Sequence, residues 1–101
     1  MKFTTHNQKL VNVAGTHLQG HIKADYDNLK KLFGNPTDGD GYKTDAEWEI
    51  EFEDGIVATI YNWKNGKNYN GASGTPKTKI TNWNVGGYDQ KAVELLKKIL
   101  S

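Results

Sequence analysis

The chain has no cysteine among its 101 residues. That excludes a disulfide framework and any zinc site built on thiolates, and it suits a reducing cytosol. No apolar stretch approaches the ~20 residues that a membrane helix needs. Residues 1–8, Met-Lys-Phe-Thr-Thr-His-Asn-Gln, hold no run of signal-peptide length either. Charge of one sign is also missing: 13 basic and 12 acidic residues leave a net +1. No global field therefore draws the chain to nucleic acid or to an anionic membrane, although a local basic patch is still allowed. Internal repeats and low-complexity tracts are absent from the sequence.

What is present describes one folded domain, residues 1–101. Hydrophobic residues make up 36% and charged residues 25%, the balance of a chain that folds, at a length that supports one core. Eleven glycines and a mean hydropathy of -0.76 point to strands and turns.

Residues 45–64 are the plainest signal. Apolar and acidic residues alternate from Ala46 to Phe52, and a second apolar run follows Glu53-Asp54-Gly55. This predicts a β-hairpin with a three-residue turn and Gly55 in the left-handed position. The register then places Phe52 opposite Ile56, Ile50 opposite Ala58 and Trp48 opposite Ile60. One face is wholly apolar, and the other sets Glu47, Glu49 and Glu51 against Tyr61, Thr59 and Val57. A two-residue turn would put glutamates opposite Ile60 and Ala58, which burial disfavours.

Elsewhere, residues 10–22 read as another hairpin, with Leu10-Val11-Asn12-Val13 as its first strand and a turn at Ala14-Gly15. In its second strand Leu18, Gly20 and Ile22 share a face, and Gly20 marks a bulge or a close approach. Residues 24–33 form a short helix, with Asp25 at its N-cap, Tyr26, Leu29, Leu32 and Phe33 as its buried stripe, and Gly34-Asn35-Pro36 as its stop. Residues 35–44 and 64–77 are loops. A strand over 79–85 has broken alternation that predicts a bulge between Ile80 and Trp83. A last helix runs from about Asp89 to Leu100. The expected class is α+β: an antiparallel sheet of about five strands in the order ββαβββα, with two helices on one face and the other face partly open.

Several constellations on this frame bear on function. Glu47, Glu49, Glu51 and Glu53 stand about 7 Å apart on one strand face, a spacing for an extended acidic surface rather than for one metal ion. Asp38-Gly39-Asp40-Gly41 resembles a fragment of a calcium loop, but the glycine expected at its sixth position is missing, so turn chemistry is the better reading. His17 and His21 are ~13 Å apart on a strand, too far for one metal. The glycine-rich residues 66–74, with Lys64, Lys67 and Lys77, suit either an anion cradle or a plain connection, and no Walker or dinucleotide pattern is present. Tyr61 and Trp63 on the open face would form a platform for a partner, unless a loop or a second copy of the chain covers it. No nucleophile has a base and an orienting group placed by sequence. Catalytic residues, a metal and a cofactor are therefore not expected.

Four strings carry a resemblance: Leu32-Phe33-Gly34-Asn35-Pro36-Thr37, the run from Asp40 to Trp48, Ala58-Thr59-Ile60-Tyr61-Asn62-Trp63-Lys64, and the run from Ile80 to Gly87. Together they resemble a family of small uncharacterised proteins of tailed bacteriophages and large DNA viruses. The resemblance implies a viral accessory protein acting in the host cytoplasm, of the kind that blocks host defences such as CRISPR or nucleotide signalling. The leading expectation is a non-enzymatic inhibitor that binds a host protein through Glu47, Glu49, Glu51, Tyr61 and Trp63. The alternative is a small-ligand binder, such as a sponge for a signalling nucleotide. There Lys43, Lys64 and Lys67 would meet phosphates, and Tyr42, Tyr69 or Trp83 would stack on bases.

Overall fold

The alternation in residues 45–64 sets the centre of the fold. In the computed structural model, which describes residues 2–101, β3 (Glu47–Phe52) and β4 (Val57–Tyr61) form an antiparallel hairpin. Trp48 faces Ile60, Ile50 faces Ala58, and Glu47, Glu49 and Glu51 face Tyr61, Thr59 and Val57. Burial chose this register, because any slip by one residue would carry the glutamates into the core. Gly55 turns the chain at φ 86°, and its N–H donates to the Phe52 carbonyl at 2.9 Å.

Three more strands extend the hairpin. β1 (Phe3–Thr5) pairs with β3, β5 (Asn82–Gly87) pairs with β4, and β2 (His17–Lys23) pairs with β5, all antiparallel. The order across the sheet is β1-β3-β4-β5-β2. Two amphipathic helices, α1 (Tyr26–Phe33) and α3 (Lys91–Leu100), bury their stripes on one face of the sheet. A third, short helix α2 (Lys67–Asn70) lies between β4 and β5, followed by 3-10 turns at Gly71–Ser73 and Lys77–Lys79. The class is α+β, with five strands and three helices among the described residues; the expected order lacked α2, which folds out of what reads as loop 64–77, and its first strand is Phe3–Thr5 instead of Leu10-Val11-Asn12-Val13.

The core holds two tryptophans edge to face. Trp48 and Trp83 have centroids 5.3 Å apart at 78°, and both are fully buried. Each indole finds a backbone acceptor at one end of α1. Trp48 Nε1 donates to the Gly34 carbonyl at 2.8 Å, and Trp83 Nε1 to the Ala24 carbonyl at 3.0 Å. The helix is thus pinned at both ends by the sheet beneath it. Asp25 stands at its N-cap without a side-chain cap bond, and Gly34 closes it at φ 84°. Leu32, expected in the stripe, is at the surface.

The hairpin expected over residues 10–22 does not form. β1 and β2 are opposite edges of the sheet, so the chain between them has to cross it. Residues 9–16 make that crossing over the face away from the helices, with Leu10 92% exposed and Val11 buried. The crossing accounts for Val57, an open-face residue that is nearly fully buried outside the main core. Lys9 pairs with Glu51 at 3.4 Å at one end of this strap. At the other end the Tyr88 hydroxyl donates to the Ala14 carbonyl at 2.7 Å.

Of the two irregularities expected, at Gly20 and before Trp83, the first is a bulge and the second is not. The bulge sits in β2 between Leu18 and Gly20, as Gly20 foretold, and not between Ile80 and Trp83. Ile80 closes a 3-10 turn, and β5 starts only at Asn82, so the broken alternation there reflects a change of element. The β2 bulge turns Leu18 onto the open face opposite Gly86, half-exposed, instead of beside Ile22. α3 begins at Lys91 rather than Asp89, whose carboxylate still accepts the Lys91 N–H at 2.9 Å.

Candidate functional site

Two loops meet where β3 begins and β4 ends, and buried polar groups lock them together. Asn62 follows Ile60 on the core-facing side of β4 and is 1% exposed. A buried amide must have partners. Its Oδ1 accepts the N–H of Asp45 at 2.7 Å and of Ala46 at 3.1 Å. Its Nδ2 donates to Asp45 Oδ1 at 2.9 Å and to Asn65 Oδ1 at 3.1 Å. Asp45 then reaches the second loop, where its Oδ2 accepts the Asn68 N–H at 3.1 Å.

That last bond decides the glycine-rich stretch. The first turn of α2 is occupied by the chain's own carboxylate, and Gly66 is pressed so closely on Asp45 that no side chain fits there. Residues 66–74 are therefore a connection pinned at Gly66 and Gly74 by close contacts, with the Asn68 N–H already used by Asp45. The preceding loop is equally ordered. Asp40 Oδ1 accepts the N–H of Tyr42 at 2.8 Å and of Thr44 at 3.0 Å, and these bonds from Thr44 and Tyr42 hold its carboxyl below the usual range. Asp40 thus serves a turn.

The locked loops carry a cluster of aromatic rings and ammonium groups. The Lys64 N–H donates to the Lys43 carbonyl at 2.8 Å, which sets these two residues side by side. Lys64 adopts φ 60°, the only positive φ outside glycine among the described residues. Lys43 Nζ lies 5.2 Å from the Trp63 ring centre and 5.7 Å from that of Tyr42. Lys64 Nζ lies 5.9 Å from Trp63 and 5.6 Å from Tyr69. Tyr42 and Tyr69 meet at 5.3 Å. Two cations thus share one indole, each with a second ring of its own, in the range of cation–π attraction. Tyr42 is 58%, Trp63 44% and Tyr69 39% exposed.

Beyond Trp63 the open face of the sheet forms a hollow of about 250 Å³, floored by Glu47, Thr59, Tyr61 and Gly86 and rimmed by Thr16 and Leu18. Tyr61 meets Trp63 edge to face at 6.2 Å. The acidic row is not uniform here. Burial in the hollow pushes the Glu47 carboxyl up to about 7, helped by Glu49 next to it on the strand and by Asp40. Burial also raises the Tyr61 hydroxyl, against a hydrogen bond from Asn84. Glu51 is held by Lys9, and Glu53 is exposed in the turn.

Of the residues expected to contact a partner or a ligand, Tyr42, Lys43, Tyr61, Trp63, Lys64 and Tyr69 converge, with Glu47 and Glu49 adjoining them. Two do not. Trp83 is fully buried in the core, its N–H used by Ala24, so it can stack on nothing. Lys67 borders a different hollow with Asp38, Asp45 and Lys77. The residues that sequence reasoning passed over are Asp45 and Asn62. Their signal was available: Asn62 falls on the apolar side of a strand, where an amide is buried only inside a network. No family model, curated protein or solved structure matches the chain.

Proposed function

We propose that this protein is a non-enzymatic binder of another protein, and that the patch of Tyr42, Trp63 and Tyr69 with the adjoining face of Tyr61, Glu47 and Glu49 is its interface. The observation that carries the reading is the exposure of three large aromatic rings, two on loops and one on α2, on segments fixed by hydrogen bonds around the buried Asn62. Tyrosine and tryptophan dominate interface hot spots, and fixing them before contact removes much of the ordering cost of association. The viral resemblance supplies the setting: the partner is a host defence protein that the binder inhibits inside the host cell. No helix is long and apolar enough to cross a membrane among the described residues.

The nucleotide-sponge reading draws on the meeting of Tyr42, Lys43, Lys64 and Tyr69. Two features weigh against it. The adjoining hollow of about 250 Å³ is below the ~300–1,000 Å³ of ordinary small-molecule sites. The rings of the patch already carry the chain's own lysines.

Affinity capture from infected host lysate with the wild type and with Trp63→Ala tests the choice. The variant should lose its partner, as removal of a hot-spot ring costs about 2 kcal/mol or more. Charge reversal at Glu47 and Glu49 should weaken capture without unfolding. A partner held equally well by all three proteins would refute this interface. Stabilisation by a cyclic or linear nucleotide in thermal melts would transfer the patch to the sponge reading.

A further inference from the structure

The two ammonium groups beside Trp63 have no anionic partner among the described residues. Among the described residues the one ion pair is Lys9 with Glu51. Lys43 and Lys64 have only aromatic rings as side-chain partners, although Asp40 and Glu47 line the hollow that Trp63 also borders. The two ammonium groups lie 5.2 and 5.9 Å from one ring centre, and the backbone of Lys64 holds the strained φ of 60°. A strained backbone held beside two cations that form no ion pair indicates a group for which both lysines are kept ready.

We propose that Lys43 and Lys64 form a clamp over Trp63 for a carboxylate of an acidic segment on the partner protein. The proposal rests on the reading of the aromatic patch as a protein interface and names the chemistry that interface selects. One carboxylate between two ammonium groups neutralises the local charge while the indole below excludes water from one side, which strengthens both attractions. A nucleic-acid backbone fits less well. A net charge of +1 offers no field to hold its repeating phosphates.

The test is an NMR titration of the whole protein, read at the Trp63 indole N–H and at the backbone amides of Lys43 and Lys64. The probes are a tetraglutamate peptide, its tetraglutamine counterpart, and adenosine monophosphate. The glutamate peptide should shift these signals and the glutamine peptide should not. Lys64→Gln and Lys43→Gln should each weaken binding about three- to fivefold, as expected for exposed charge pairs, and added salt should weaken it further. Absence of shifts at Trp63 with tetraglutamate, or equal shifts with tetraglutamine, would overturn the clamp. Tighter binding of adenosine monophosphate than of tetraglutamate would overturn it in favour of a phosphate site. The wider reading is scored separately: loss of partner capture by Trp63→Ala beside a silent titration would leave the interface standing without the clamp.

Discussion

Asp45 and Asn62 hold each other across the open end of the β3–β4 hairpin. The Asn62 amide accepts the Asp45 N–H at 2.7 Å and returns a donor to its carboxylate at 2.9 Å. This reciprocal pair ties the first aromatic loop to the second. Asn62→Ala would leave the buried N–H groups of Asp45 and Ala46 without acceptors. Leaving buried groups unpaired costs roughly 1–3 kcal/mol each, so a loss on the order of 3 kcal/mol is expected in urea unfolding. The same variant should broaden or shift the NMR signals of Tyr42, Trp63 and Tyr69 while those of Trp48 stay sharp. Uniform destabilisation with an undisturbed patch would show that the pair serves the sheet alone.

Glu47 makes stability depend on pH in a defined direction. Its carboxyl is raised from 4.5 to about 7 by burial, with Glu49 and Asp40 adding to the effect. The folded chain therefore holds this proton more tightly than the unfolded chain does. That contribution is fully present below the unfolded value and is lost as pH rises through about 7. Because the group is partly open to water, screening limits the change to about 1 kcal/mol. Urea midpoints measured at about pH 5 and about pH 8 should fall across this window, and Glu47→Gln, which keeps the protonated shape without ionising, should remove most of the fall. Asp40 acts in the opposite sense and in a lower window, since its carboxyl is held down in the fold: its contribution is present above its unfolded value and lost in stronger acid. A slope that survives in Glu47→Gln would assign it to another group.

The parts of this fold that strict alternation encodes were legible, and those set by long-range geometry were not. Trp48, Ile50 and Ile60 disclosed their face and register because one slip would bury glutamate. Leu10 to Val13 carry strand-forming residues, yet they lie on a strap. Nothing local says that β1 and β2 occupy opposite edges, and that arrangement alone forces residues 9–16 across the sheet. Gly20 announced its bulge, while the second irregularity, before Trp83, came from a 3-10 turn that mimics a bulge in sequence. At the site, the residue types were visible as aromatics and lysines. Their convergence was not, because it depends on Asp45 reaching from one loop to the Asn68 N–H of another, 23 residues away. Trp83 was misjudged for a related reason. An aromatic residue beside a loop looks available until its partner Trp48 and the Ala24 carbonyl are placed.

Lys64 offers the sharpest separation of stability from function. An L-residue in the left-handed region costs roughly 1–2 kcal/mol, a cost that glycine avoids. Lys64→Gly relieves that strain at φ 60°, but it gives up the attraction to Trp63 and Tyr69, about 0.5–1 kcal/mol at an exposed site, and adds freedom to the unfolded chain. These effects nearly cancel, so the urea midpoint should move by no more than the equivalent of about 1 kcal/mol in either direction. Partner capture should nevertheless fall, because one arm of the paired ammonium groups is gone. A residue that merely filled a turn would show the reverse pattern, with glycine stabilising the protein and binding unchanged. Measuring both quantities on the same variant decides whether the strain at Lys64 is kept for its charge or is incidental to the loop.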